Sequence, residues 1–218
     1  TRIDKKSGNP RTTKHYRSVT KHDLAREQLT LDLLCERFGD WQKLGFIPSL
    51  KIESGQKTDE PIRTRGWTHW HHLFSPRQLL VHGTVSHLTR TSLTDNASLA
   101  AISLSIGRLA DWDSKLTRWD SSAANEKVAQ TFSNQALNTM VTWAGKSLLS
   151  SENAFYLSFE AEAVTEAGSV KTIDARRLEN VCELWVTDPP YADAVNYHEL
   201  AEYLLAWQVL GLAQVFPT

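Results

Sequence analysis

Cysteine is nearly absent from the 218-residue chain: Cys35 and Cys182 are the only two, far apart in sequence. They exclude a zinc site of conventional Cys-x-x-Cys spacing. Their apolar-patterned surroundings predict buried thiols in a reducing compartment. No stretch approaches about 18 consecutive apolar residues, so no membrane-spanning helix is expected. The basic start has no apolar stretch behind it, unlike a secretory signal, and a cytoplasmic protein is expected. Internal repeats and low-complexity segments are lacking. The ten glycines include no Gly-x-Gly, so a tight glycine turn that lets backbone and cofactor approach closely is not encoded. What is there describes a globular chain: 41% hydrophobic and 22% charged residues, enough for one large domain or two small ones.

Net charge is also scarce, at −1, but it is unevenly spread. Residues 1–22 carry Arg2, Lys5, Lys6, Arg11, Lys14, Arg17 and Lys21 against Asp4 alone. Such a head, which contains Ser, Thr and Gly besides, suits either a phosphate backbone or a solvated linker. Three regions follow from the composition: a basic flexible head over 1–22, a mainly helical region over 23–150, and a partial α/β region over 151–218.

In the helical region, Asp23 is expected to cap a helix over 24–38 that Gly39 stops, with Leu24, Gln28, Leu31, Leu34 or Cys35, and Phe38 on one side. The glycines and prolines over 39–66 predict loop, with one short strand at 46–52. Ser75-Pro76 is a helix start, a capping hydroxyl followed by proline in the first turn, and that helix should reach Leu93. Leu99, Ile102, Ile106, Leu109 and Leu116 recur at helical spacing over 97–119. Val128, Phe132, Ala136, Met140 and Trp143 do so over 125–146.

Beyond residue 150 the pattern changes to alternation over 154–164 and two strand-like runs at 170–173 and 181–187. A last helix follows, with Tyr197, Leu200, Leu204, Trp207 and Gly211 on a face expected to pack on a sheet. Between the second run and this helix lies Asp188-Pro189-Pro190-Tyr191. An exocyclic amine on adenine or cytosine is a poor nucleophile because its lone pair is delocalised into the ring. A carboxylate and a backbone carbonyl fixed as acceptors for its two hydrogens would free that lone pair. Asp188 supplies the carboxylate. Pro189 or Pro190 supplies a carbonyl on a backbone whose φ is locked near about −65°. Tyr191 offers a flat face for a base pulled out of its stack. The plainer alternative is that Pro-Pro ends a strand and Tyr191 packs inward.

Asp188-Pro-Pro-Tyr191 resembles the catalytic motif of the S-adenosylmethionine-dependent amino-methyltransferases that modify adenine N6 or cytosine N4 in DNA. The string Asp188-Pro-Pro-Tyr-Ala-Asp-Ala-Val-Asn-Tyr-His-Glu-Leu200 is similar to one branch, the large adenine-specific DNA methylases carrying the DUF1156 domain, often found near restriction or phage-defence genes. Arg65-Gly-Trp-Thr-His-Trp-His-His-Leu-Phe-Ser-Pro-Arg-Gln-Leu79 and Phe132-Ser-Asn-Gln-Ala-Leu137 match the same branch. The resemblance implies a Rossmann-like methyltransferase sheet, of which this chain would hold the C-terminal part. It implies methyl transfer from S-adenosyl-L-methionine to a flipped adenine in DNA, with Asp188, Pro189, Pro190 and Tyr191 as the catalytic loop. Asp174, at the end of the 170–173 run, would touch the cofactor. Asp174 also suits the N-cap of a helix beginning at Ala175.

The family's glycine-rich cofactor motif lies upstream of its catalytic one and is missing here. The chain therefore reads as an internal fragment or truncated relative, relying on upstream polypeptide for the rest of the cofactor site. Two alternatives stay open: a non-catalytic nucleic-acid-binding or interaction domain derived from such a methylase, and an amino-methyltransferase acting on cytosine or RNA. Arg65, Trp67, Trp70 and Arg77 are candidate nucleic-acid contacts, since aromatic and basic side chains together stack on bases and hold phosphates. A tryptophan-anchored lead-in to the Ser75 helix explains the same residues. Three histidines at 69, 71 and 72 invite a metal, but neighbouring side chains do not easily converge on one ion and no carboxylate or thiolate stands at ligand spacing, so no metal is expected.

Overall fold

The computed structural model describes residues 17–120, 127–133, 136–137, 140–142, 145, 152–155, 171, 173–189 and 196–216, and the backbone of Arg2–Ile3 and Pro10–Arg11. Helix α1 spans Lys21–Leu44, α2 Asp59–Arg65, α3 Pro76–Ser92, α4 Asn96–Trp112 and α5 Tyr197–Val215. A 3-10 turn, Trp70–Leu73, leads into α3. Strands among the described residues come as two-residue antiparallel pairs: β1 Arg2–Ile3 with β2 Pro10–Arg11, β3 Trp119–Asp120 with β4 Lys127–Val128, and β5 Phe132–Ser133 with β6 Ala136–Leu137. This overturns the α/β expectation. The structure is mostly helical, and no Rossmann-like sheet stands among the described residues. The run at 181–187 is apolar enough for a buried strand, yet it pairs with nothing described, and Val181 is fully exposed. Helix α5, expected on a sheet, packs on α4 instead.

Local chemistry accounts for most helix ends. Ser75 accepts from the Gln78 N–H while the Gln78 side chain accepts from the Ser75 N–H, so α3 begins where the Ser-Pro pair predicts. The start of α1 is three residues earlier than expected. Thr20 is its cap and Asp23 the acidic partner that reaches back to the Thr20 N–H at 2.9 Å. The helix also runs through Gly39 to Leu44 and ends at Gly45, whose φ is 73°. A glycine inside a helix costs only about 1 kcal/mol. Burial of Trp41 two residues later outweighs it. The buried positions on α1 are Thr30, Leu34 and Trp41, whereas Leu24 and Leu31 are exposed, so the apolar side is narrower than its sequence pattern.

Helix α4 stops at Trp112, short of the expected 119, because Asp113 turns inward. Its carboxylate is buried, accepts from Gln78 Nε2 at 3.1 Å and lies 3.6 Å from His82 Nε2. The helix expected over 125–146 is absent where the structure describes that segment. The Ala129 N–H donates to the Arg118 carbonyl and the Thr131 N–H to that of Asp111, at 2.7 Å each. Backbone donors committed to other segments cannot also serve a helix. The strand expected at 46–52 is loop, touched by one isolated bridge from Lys51 to His69.

The core is aromatic. Tyr203 of α5 is fully buried, with Phe74 stacked at 5.8 Å and the rings of Trp70 and Phe132 meeting it edge-on at 5.6 and 5.1 Å. Its hydroxyl donates to the Ala110 carbonyl at 2.7 Å, and burial holds the phenol well above its ordinary pKa. Small residues let α4 and α5 approach this closely. A β-carbon on Gly107 would stand 2.1 Å from Gln208 Nε2, and one on Gly211 would stand 2.5 Å from Ser103 Oγ. No helix among the described residues is long and apolar enough to cross a membrane.

Near the start of α5, Glu199 is buried and reaches the turn before α2. Its carboxylate accepts from the N–H groups of Gln56, Lys57 and Thr58 at 3.1, 2.7 and 3.1 Å. Burial pushes this carboxyl up, but those donors and the Thr58 hydroxyl outweigh it and hold the pKa below 4.5. Replacement of Glu199 by Ala is expected to cost about 2–3 kcal/mol, since three backbone donors lose a charged acceptor. A depressed carboxylate pKa contributes stability above the unfolded value that is lost as pH falls through the folded one. The melting-temperature gap between wild type and Glu199→Gln should therefore be full near pH 7 and narrow below 4.5. A gap that does not change with pH would show that the Glu199 charge contributes nothing.

Candidate functional site

Two of the three stretches that carry the family resemblance converge on one residue, Tyr203 of α5. Trp70 and Phe74 come from the first, Phe132 from the second, and Tyr203 lies one turn beyond the end of the third. Glu199, inside the third stretch, pins the start of α5 to the 56–58 turn, and Asn196 Nδ2 adds a bond to Gln56 Oε1 at 3.2 Å. The chain that leaves the Asp188 loop is therefore held at its far side by buried charge-assisted bonds.

Asp188 and Pro189 lie in an exposed segment without regular secondary structure, and Asp188 accepts no hydrogen bond from any described residue. Pro190 and Tyr191 lie outside the described residues. The residues leading in, Leu184, Trp185 and Val186, are 78%, 52% and 88% exposed. The strand–turn–helix frame expected around the loop thus has its helix but not its strand.

Asp174 is engaged locally. It caps a 3-10 turn over Ala175–Arg177, accepting from the Arg176 N–H at 3.0 Å, and the Arg176 guanidinium closes on both carboxylate oxygens, the shortest contact being 2.7 Å. The bond from Arg176 holds the Asp174 carboxyl below its usual range. The N-cap reading of Asp174 describes what the structure shows, with the carboxylate engaged by Arg176. Cys35 and Cys182, expected as buried thiols, are both exposed. Cys35 falls on the solvent side of α1, and Cys182 on the uncovered run before Asp188.

The four candidate nucleic-acid contacts separate. Trp70 is wholly buried, its Nε1–H donating to Glu202 Oε2 at 3.1 Å, so it cannot stack on a base; it anchors the lead-in to α3. Arg77 points to α1 and bonds Glu27 Oε1 at 2.6 Å. Arg65 and Trp67 stay together at the surface, the guanidinium 5.0 Å from the ring centroid. On the same ring, at 5.2 Å, sits Lys115 Nζ, a residue that no pattern in the sequence singled out.

The histidine rings come together more closely than their spacing predicts. Centroids of His69, His71 and His72 lie 4.4–5.5 Å apart, because the 3-10 turn folds 71 and 72 back towards 69. For His72 the bond at Nδ1 decides the tautomer. His72 Nδ1 accepts the Thr68 N–H at 3.1 Å, which puts its proton on Nε2 and removes the lone pair a metal would need. Among the described residues no three His, Cys, Asp or Glu side chains are placed to hold a metal ion. Burial, then the neighbouring His72, pushes His71 down to about 4, so it is neutral near pH 7.

Comparisons with protein-family models, with curated proteins and with solved structures found no match to this chain.

Two measurements follow. Trp70→Ala is expected to destabilise the fold by about 3–5 kcal/mol, as loss of a buried aromatic does; a surface role would leave the melting temperature unmoved. S-adenosylhomocysteine should titrate identically into wild type and Asp174→Ala, because the carboxylate is already closed by Arg176. Affinity lost in the variant would restore the cofactor contact.

Proposed function

We propose that this chain presents the target-amine side of a DNA adenine amino-methyltransferase, with Asp188 and the Pro189 carbonyl accepting the two hydrogens of an exocyclic amine. The observation that supports it is the state of Asp188. Its carboxylate is exposed and unclaimed by any described residue, and proline follows it. An uncommitted carboxylate beside a carbonyl on a φ-restricted backbone is an acceptor pair offered outward. Accepting both hydrogens draws the amine nitrogen towards tetrahedral geometry and returns its lone pair for attack.

S-adenosylmethionine is the donor that the resemblance implies, but the described residues do not fit it. Asp174 is closed by Arg176, and the chain has no glycine-rich turn. The reading is accordingly confined to recognition of the amine by this chain's own residues, with the cofactor held by polypeptide beyond them. A cytoplasmic location belongs to the same proposal, with two free thiols in its favour.

A second reading, a non-catalytic nucleic-acid-binding or interaction domain, is favoured by the helical fold and the uncovered run before Asp188. One binding experiment separates the two. A single-stranded oligonucleotide with one adenine is compared with the same strand carrying purine, which lacks the amine, and with one carrying cytosine. Wild type should prefer the amine-bearing base by about 10-fold or more, the worth of a single hydrogen bond to a charged acceptor, and Asp188→Ala should erase the preference. Equal affinity for adenine and purine strands would sink the amine-acceptor role. Binding of all strands alike would then leave the interaction-domain reading standing.

A further inference from the structure

Away from Asp188, a pocket of about 290 Å³ opens between the 66–74 segment, the start of α3 and the loop after α4. Trp67, Phe74, Pro76 and Leu79 supply apolar wall, and His72 and Lys115 supply the polar side. Lys115 is half-buried. Its ammonium donates to the His72 carbonyl at 2.9 Å and faces the Trp67 ring, and no carboxylate among the described residues pairs with it. His72 adds a second donor to this wall. With Nδ1 occupied by the Thr68 N–H, its proton is carried on Nε2.

A partly desolvated cation lacking a counter-ion, with a neutral N–H donor beside it and apolar surface opposite, suits an anion attached to an apolar body. We infer that this pocket binds a small organic phosphate, its oxyanion on Lys115 Nζ and His72 Nε2–H and its organic part against Phe74, Pro76 and Leu79. The volume exceeds what a bare oxyanion fills, which is why the ligand is an organic phosphate and not the free ion. Desolvation lowers the Lys115 pKa, and burial, then the neighbouring His69 and Lys115, lower that of His72. The site stands apart from the Asp188 loop and does not depend on the reading given for it.

The test uses phenyl phosphate as probe, with phenol and inorganic phosphate as the two half-ligands, each titrated calorimetrically into the whole chain. Phenyl phosphate should bind at least about tenfold more tightly than either, and Lys115→Met should lose that margin while Lys115→Arg, which keeps the charge, retains part of it. Because Lys115 also supports the His72 carbonyl, a readout on the unaltered chain accompanies the variants. Phenyl phosphate should slow acetylation of Lys115 by acetic anhydride, followed by mass spectrometry, and leave exposed lysines such as Lys43 unaffected. Phenol binding as tightly as phenyl phosphate, undiminished affinity in Lys115→Met, or an unprotected Lys115 would each overturn the assignment. So would protection by a short oligonucleotide where phenyl phosphate gives none, which would place a nucleic-acid backbone at this lysine instead.

Discussion

Everything described about this fold is organised by the burial of Tyr203. One side chain of α5 meets the 3-10 turn through Trp70, the lead-in to α3 through Phe74, the β5–β6 hairpin through Phe132 and the last turn of α4 through its hydroxyl bond to Ala110. Each aromatic pair adds about 0.5–1.5 kcal/mol beyond the area it buries. A buried hydroxyl without its acceptor would cost about as much as several of those pairs gain. The ring therefore favours collapse of four segments onto one point, and the hydroxyl fixes their register along α4. The glycine and serine positions on α4 and α5 exist within that constraint. The two axes must come close for Tyr203 to reach Ala110, and a β-carbon at Gly107 or Gly211 would force Gln208 or Ser103 on the facing helix to shift.

From this centre the positions of the candidate residues follow. Trp70 belongs to the cluster, so its indole N–H turns to Glu202 and its face is unavailable to any ligand. Trp67, three residues earlier, is outside the cluster, and it collects the cations Arg65 and Lys115. Sequence composition alone treats the two tryptophans as equivalent. What separates them is the 3-10 turn that begins at Trp70: it carries that ring inward, while Trp67, before the turn, stays on the rim. Glu199 does for the Asp188 loop what Tyr203 does for the core: it ends the loop at a fixed place by occupying three backbone N–H groups that only an anion satisfies well.

Legibility in the sequence divides along the range of the interactions. The Ser75-Pro76 start of α3 and the capping role of Asp174 could be read because both partners lie within three residues. The final helix was visible from its apolar spacing, though not the surface it packs on. Glu199, Glu202 and Lys115 could not be found this way, since the groups they serve are 43 to 143 residues distant. Asp113 shows the same limit from the other side: helical spacing carried on to Leu116, but a buried carboxylate bonded by Gln78 ended α4 first. The hairpin at Phe132 was misread as helix for a related reason. Its 3.6-residue pattern is real, yet the donors at Ala129 and Thr131 are claimed by Arg118 and Asp111.

The sheet expectation failed for a different physical reason, and it bears most on function. A strand is stabilised by a neighbour, not by its own composition. The run at 181–187 has the apolar, β-branched character of a buried strand, but nothing described lies beside it, so its side chains face solvent. An acceptor pair lowers a barrier only when held at fixed distance from the amine it serves. Glu199 fixes the start of α5, while no described residue covers the run that leads into Asp188. The chemistry argued for Asp188 and Pro189 thus requires a surface that covers Leu184, Trp185 and Val186. An amine recognised by a loop anchored at one end would be bound but poorly oriented. What completes that flank decides between a catalytic loop and a binding loop.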